Sequence, residues 1–377
     1  MKKLSFFILI IAFIFGLAAC QTKSWQIEVY TNGSPSGGFT QEEVGFYLDK
    51  IFDDASVVDL GQILYVQGFS LIDEITFSSE GSESATFGWD EIASSAVIAE
   101  TGEITIAGAS YFPQSIDVSA SPLETEITLS ILDIAPTIAY AMGWPEMPNS
   151  IGEVRISESG IWDQAVMIFI DGLQYENLLS LIQKDALPGF QRFDLPQMAL
   201  TVYPPITTSA TASLLTGTPP KTTGVFGYGY RRTEQTTLFD LVTGAGLTVT
   251  AIEGSGVAFN LGPANTILSG DRDGDGFTDD NVFANTMEVI QSDLPDLLFA
   301  HFHDVDDMGH NYGPQTPEYE SAIVRVDGYI SQIYDALPEN TFLVIFADHG
   351  MHTTDTGGAH GTLTATDMII PILFTEK

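Results

Sequence analysis

The 377-residue sequence contains one cysteine, Cys20. No disulfide can form within the chain. Positive charge is also scarce, with 13 Lys and Arg against 50 Asp and Glu, a formal net charge of −37. A chain this anionic has no basic surface with which to hold a nucleic-acid duplex. An anionic substrate would need local positive charge, which bound metal ions can supply. No internal repeat is visible, and 377 residues suffice for one large domain or two ordinary ones.

The most extended apolar run, Phe6–Phe15, follows Lys2 and Lys3. It is too short and too near the start to read as a membrane span, and has the layout of a targeting segment. It finishes Leu17-Ala18-Ala19-Cys20, which resembles a bacterial lipoprotein signal whose cysteine is lipidated after cleavage. An ordinary secretory signal with a chance cysteine is the alternative. The expectation is an exported cell-envelope lipoprotein, anchored to a membrane surface through Cys20. Loss of Lys2 and Lys3 would take its charge from −37 to −39.

Residues 21–118 alternate short amphipathic pieces with Ser, Gly and Glu turns. They read as a tether followed by a small accessory α+β module, with 21–37 serving partly as tether. From about 161 the rhythm changes. Val166–Ile170, Met198–Tyr203, Leu247–Ile252, Leu297–Phe302, Phe342–Phe346 and Ile369–Phe374 are apolar runs of strand length. Near-continuous apolar strands are buried on both faces, which predicts an α/β fold with a largely parallel central sheet. Thr237–Thr243 and Tyr319–Leu337 read as helices between them.

All six histidines fall between residues 301 and 360. Asp306 and His310 are four apart with Gly309 between them, Asp348 and His349 are adjacent, and His360 sits among glycines. Each group follows an apolar strand, where a parallel sheet opens its binding crevice. Carboxylate plus imidazole suits zinc and similar divalent metals. Asp171 ends another strand and precedes Gly172, although alone it is as readily a helix cap. Thr207, Thr208 and Ser209 open a small-residue helix that closes at Gly217. A hydroxyl there lies near free backbone N–H groups and the positive end of the helix dipole, or simply caps the helix.

Together these residues resemble the alkaline phosphatase superfamily, in particular its type I phosphodiesterase/nucleotide pyrophosphatase branch. The shared pattern is Asp171-Gly172 after a strand, then Thr207 with Leu214–Gly217. Asp306, Gly309, His310, Gly313 and Pro314 follow, then Asp348–Met351 and Gly358–Gly361. The resemblance covers roughly 161–377 and implies a three-layer sandwich. It further implies two divalent metal ions, zinc by family preference. One would be held by Asp306, His310 and His360, the other by Asp171, Asp348, His349 and the Thr207 oxygen. Two cations a few ångströms apart can activate an alkoxide and stabilise a pentacoordinate phosphoryl group. The implied reaction is attack by Thr207 on the phosphorus of a small phosphate ester, a phosphothreonyl intermediate, and hydrolysis.

The sequence departs from the nucleotide-cleaving members by having Thr207-Thr208-Ser209-Ala210 where Thr-Phe-Pro-Asn is common. This puts nucleotide specificity in doubt and makes Thr208 an alternative nucleophile. A phosphomonoesterase, or a phosphonate- or sulfate-ester hydrolase, is the alternative on the same site. A non-catalytic surface binding protein is the alternative of another class. Arg231 and Arg232 are candidate substrate contacts.

Two further features stand out. Asp271, Asp273, Asp275 and Asp279, with Gly274 and Gly276, have the alternating oxygens of a calcium loop, though an EF-hand's twelfth position would be Val282. A structural Ca²⁺ and a solvated acidic turn are equal readings. In Ile127–Gly152, Asp133 opens a Pro-containing helix block that the superfamily usually carries after its last histidine. Its early position suggests a circular permutation, with 119–152 completing the domain of 119–377 from the N-terminal side.

Overall fold

The structure is a computed structural model that describes residues 24–51 and 56–377. The expected lipoprotein signal, 1–20 with Cys20, lies outside the described residues.

The larger sheet has eight strands: β1 (Leu129–Ser130), β2 (Gln164–Ile170), β3 (Gln197–Leu200), β4 (Val249–Glu253), β5 (Asn265–Leu268), β6 (Leu297–Phe302), β7 (Thr341–Phe346) and β8 (Ile369–Glu376). Their order across the sheet is β1-β3-β8-β7-β2-β6-β4-β5. Only β8 runs antiparallel to its neighbours, β3 and β7. The parallel pairings β7–β2, β2–β6 and β6–β4 form the centre. Every residue of β4, β6 and β7 is buried, as the unbroken apolar runs predict. The aromatic rings of Phe169 and Phe346 stack within the sheet at 5.2 Å between centroids.

Two groups of helices flank this sheet. Asp279–Ser292, Asp304–Tyr312 and Pro317–Ala336 pack together with β6, while Ile134–Ala141, Thr207–Thr216 and Leu238–Gly244 form the other group. Thr237 caps the last of these, its hydroxyl accepting from Asp240 N and Asp240 closing the reciprocal bond. The fold is therefore a mixed α/β sandwich with a mostly parallel sheet.

Residues 129–152 belong to this architecture. Strand β1 adds to β3 in parallel, and helix Ile134–Ala141 shares one hydrophobic core with Ile370 and Ile372 of β8. Asp133 accepts from the Glu153 backbone and from the Arg155 guanidinium, which pins the following loop back onto the helix start.

The N-terminal module contains a five-stranded sheet and a four-stranded antiparallel one. Gln26–Thr31 and Ser34–Thr40 form a hairpin, so most of the stretch read as tether is folded into that sheet. Alternating Ile27 and Val29 drive this by reaching the module's core, while Glu28 faces outward. Strand Ser115–Ala120 carries the module slightly past 118. The module is not an independent bead. Its core takes in Tyr203, Phe226, Leu363, Met368 and Ile369 from the larger domain. The buried Trp89 indole donates to Leu363 O at 2.8 Å.

Candidate active site

Five of the strands that build the sheet end on one crevice. Asp171 directly follows β2; Glu253 is the last residue of β4; His301 lies one residue from the end of β6 and His303 just beyond it. Asp348 and His349 follow β7 after Ala347. Beyond β3, the chain passes through a cis Tyr203–Pro204 bond and enters the helix that begins at Thr207. Gly172 is required where it stands: its φ is +67°, and a Cβ there would lie 2.7 Å from Asp306 Oδ1. The loss of that methyl is what lets the Asp171 and Asp306 segments touch.

Thr207 Oγ1 donates to Asp171 Oδ1 at 3.5 Å and stands 3.3 Å from His349 Nε2. His349 Nε2 in turn lies 3.4 Å from Asp171 Oδ1 and 3.2 Å from Asp348 Oδ2. Ligand atoms of Asp171, Asp348 and His349 thus lie within 4.8 Å of one another, and all three residues are buried. A second group, Asp306, His349 and His360, meets the same distance. Asp306 reaches His310 Nε2 at 3.3 Å with one oxygen and His360 Nε2 at 3.7 Å with the other. His310 stands outside the three-way group and is the most exposed member, at the open side of the site.

The hydrogen-bond pattern suits divalent cations. His310, His349 and His360 each direct Nδ1 at a backbone carbonyl, Gly358 O at 3.1 Å, Gly350 O at 3.0 Å and Pro205 O at 3.0 Å. A carbonyl only accepts, so each Nδ1 donates there and each Nε2 is the atom turned toward the carboxylates. Asp306 Oδ1 and Asp348 Oδ2 are buried and accept no hydrogen bond. Buried carboxylate oxygens facing imidazole Nε2 atoms are a donor set that suits a zinc-type ion.

The electrostatics agree. Burial first, then the charges of Asp348 and Asp306, push the Asp171 carboxyl well above its ordinary range. Burial also works to raise Asp306, but the His310 hydrogen bond and the neighbouring imidazoles outweigh it and bring the carboxyl to about 2. Burial and His349 hold His360 down to about 3, which keeps it neutral. The Asp306 hydrogen bond raises His310 to about 9. Three carboxylates packed this closely, without a lysine or arginine among them, demand compensating positive charge.

Asp171, Thr207, Asp306, His310, Asp348, His349 and His360 are therefore brought together. Thr208 is not: its hydroxyl is buried one residue on, with no partner. Asp271, Asp273 and Asp275 cluster within 4.8 Å on the surface and accept from backbone N–H groups of their own turn. Asp279 leaves them. It is buried, and its carboxylate accepts from the His303 and Asp304 backbones because the helix it opens packs against that loop.

Sequence reasoning missed four contributors. Glu253, His301 and His303 form a hydrogen-bonded group behind Asp171, and Tyr228 OH lies 3.5 Å from His360 Nε2 at the entrance. The signal for Glu253 was the one used for Asp171, a carboxylate at the end of an apolar strand. Arg231 reaches the site indirectly, donating to Tyr228 O and Val257 O. With Arg232 it lines a cavity of about 450 Å³ bordered by Asn260, Leu261 and Leu268. His352 is occupied elsewhere, paired at 2.9 Å with Asp367, which also holds Thr362.

Parts of the chain are similar to known proteins. The GPI ethanolamine phosphate transferase 3 of Eremothecium gossypii is 40% identical over 83 residues, 22% of this chain and 8% of that protein. The human GPI ethanolamine phosphate transferase 3 catalytic subunit is 35% identical over 83 residues, 22% of this chain and 7% of its own. The human ectonucleotide pyrophosphatase/phosphodiesterase family member 7 is 34% identical over 65 residues, 16% and 14% of the two chains. This chain thus spans a small fraction of the length of these curated relatives. Among solved structures, a phosphonoacetate hydrolase from Sinorhizobium meliloti 1021 is 20% identical, with a TM-score of 0.41 over 51% of this chain and 57% of the other. A 2-O GAG sulfatase is 16% identical, with a TM-score of 0.46 over 57% and 64%. The type I phosphodiesterase / nucleotide pyrophosphatase family matches residues 165–253 and 257–369, more than half of the sequence and every strand end just described, and the chain belongs to that family.

Proposed function

We propose that this protein is a two-metal hydrolase of phosphoric esters, acting on diesters or pyrophosphates, with Thr207 as the nucleophile. The observation that carries this reading is the position of Thr207 Oγ1, 3.5 Å from Asp171 Oδ1 and 3.3 Å from His349 Nε2 at the start of a buried ten-residue helix. Asp171, Asp348 and His349 would hold one divalent ion, and Asp306, His310 and His360 the other. Zinc is the ion suited to that mix of oxygen and nitrogen. When bound, the two ions supply the positive charge that stabilises the alkoxide and the phosphoryl oxygens.

The chain's own groups define the rest. Thr207 Oγ1, its proton released to water, forms the bond to phosphorus, and the ester oxygen departs with its electron pair and gains a proton. The free N–H groups at the head of helix Thr207–Thr216 face the phosphoryl oxygens. Water then attacks the phosphothreonine, the P–O bond to Thr207 breaks, and the threonine hydroxyl is restored. His310 and Tyr228 border the open side, where the leaving group would pass.

A second reading differs only in the acceptor. The local likeness to GPI ethanolamine phosphate transferases favours an alcohol in place of water in the second step.

We also propose export and lipid anchoring through Cys20, supported by the Leu17-Ala18-Ala19-Cys20 sequence. Replacing Cys20 by Ala should move the protein from the membrane fraction to the soluble one. Residues 119–152 are read as completing the domain in permuted order, supported by their packing in its core.

The first test compares bis-p-nitrophenyl phosphate with p-nitrophenyl phosphate, zinc present, for the wild type and Thr207→Ala. The reading expects the diester to be favoured and its cleavage to fall at least about 1000-fold in the variant. Preference for the monoester would overturn the diesterase assignment, and an unimpaired variant would overturn the nucleophile. Nitrophenol release that rises with added ethanolamine, with phosphorylated ethanolamine as product, would favour the transferase reading.

A further inference from the structure

Behind the site just described lies a second group of ligand-type side chains that the proposed reaction does not use. Glu253, at the end of β4, is buried and presents one oxygen, Oε2, to two imidazoles. It lies 2.9 Å from His301 Nδ1 and 3.2 Å from His303 Nε2. The two rings lie close together, with centroids 3.8 Å apart. Gly254 makes room for this: a Cβ there would lie 2.8 Å from His303 Cδ2.

An ionised carboxylate only accepts, so Glu253 fixes the proton of each ring on the atom facing it. His301 Nε2 and His303 Nδ1 are the ring atoms turned away from Glu253. Both point at the same atom, Asp171 Oδ2, at 3.2 Å and 3.8 Å. Ligand atoms of Asp171, His301 and His303 therefore converge, all within 4.8 Å of one another. A carboxylate oxygen and two imidazole nitrogens converging in a largely buried place, with a second carboxylate bonded behind both rings, are the ligand set and outer support of a zinc-type ion.

We propose that Asp171, His301 and His303 bind a third divalent ion of the zinc class, with Glu253 as the outer carboxylate that orients both imidazoles. Two nitrogens and one oxygen exclude magnesium or calcium as the preferred occupant, since those ions take oxygen ligands. Asp171 would bridge. Its Oδ1 faces Thr207 and His349, and its Oδ2 faces the third ion. The additional ion is thus a positioning device: it neutralises half of Asp171 and holds the other oxygen against the nucleophile. That role rests on the proposed function, but the ion site itself does not.

The test is a count of zinc in the full-length protein after loading and exhaustive dialysis, by plasma mass spectrometry, for wild type, His303→Gln and Glu253→Gln. His303 is only partly buried, so its variant is the one expected to fold. Expected are three equivalents in the wild type and two in His303→Gln. In Glu253→Gln the third should bind roughly 10- to 100-fold more weakly. Cobalt substitution adds a second readout, the loss of one set of visible absorption bands in His303→Gln. Two equivalents in the wild type, with nitrogen NMR showing a protonated His301 or His303, would overturn the proposal: a proton fills the gap. Three equivalents in both wild type and His303→Gln would also overturn it, since the third ion then lies elsewhere. Diester cleavage with only two equivalents would leave the proposed function standing while this inference falls. No bound zinc at all would remove both.

Discussion

His349 stacks flat on His360, with ring centroids 3.6 Å apart and planes 15° apart. Each ring is pinned from behind by a backbone carbonyl, so the pair presents two Nε2 atoms side by side to different carboxylates. His349 belongs to both three-residue groups and is therefore the wall they share. Two cations bound on either side of one imidazole must lie close together, which is the spacing needed to grip one phosphoryl group from two sides.

Asp306→Asn removes the charge that joins His310 to His360. The expected outcome is loss of one metal equivalent and a fall in diester turnover of at least about 100-fold. Metal content and initial rates, measured on the same preparation, check it.

Metal removal should destabilise the fold as well as abolish turnover. The buried oxygens of Asp306 and Asp348 lose their compensating charge on chelation. At free zinc of 100 times the dissociation constant, one site contributes about 2.7 kcal/mol. The melting temperature should rise with zinc and fall with a chelator; an unchanged midpoint would contradict the site.

Thr207 and Thr208 are adjacent but should behave differently. Thr208→Val replaces a buried hydroxyl that has no partner and preserves shape. It should leave turnover within a few-fold and stability equal or improved by about 1 kcal/mol. Thr207→Val should abolish turnover. The reverse result would shift the nucleophile to Thr208.

Asp59 provides a pH-dependent test away from the metals. Its carboxylate caps helix Leu60–Val66 and accepts from Gly61 N at 2.7 Å. Burial nonetheless raises its pKa to about 6. A carboxyl with a raised folded-state value binds its proton more tightly when folded, so its presence costs stability as pH rises from about 4 through about 6. Asp59→Asn, which keeps a capping oxygen, should match the wild type below pH 4 on this account. Above pH 6 it should exceed it by about 2–3 kcal/mol. Denaturant unfolding of both proteins across that range checks the sign.

The two parts of the chain should unfold together. Trp89 lies in the core that the module shares with Tyr203 and Leu363. Trp89→Ala should cost about 3–5 kcal/mol and lower a single transition rather than one of two. Separate calorimetric transitions would contradict the shared core.

The sheet and most of the site were legible because their signals are local. An apolar run followed by Asp171-Gly172 or Asp348-His349 reports both a buried strand and the crevice at its end. Glu253 carries the same signal, but nothing beside it in sequence reveals that it faces His301 and His303, 48 and 50 residues away. Asp279 looked like a calcium ligand from spacing, whereas packing turned it inward to the His303 backbone. The hairpin of residues 26–40 was obscured by its Gly and Ser content, which suits a tether as readily as an edge strand. The shared core was not legible at all, since Trp89 and Leu363 are 274 residues apart.

That separation fixes an order of events during synthesis. Strand β8, which sits between β3 and β7 in the larger sheet, is made long after the N-terminal module, and so are Leu363, Met368 and Ile369. The N-terminal module emerges from the ribosome first, yet its hydrophobic interior stays open until those residues arrive. Closing the shared core therefore depends on contacts of high sequence separation, which slows folding and leaves apolar surface exposed in the meantime.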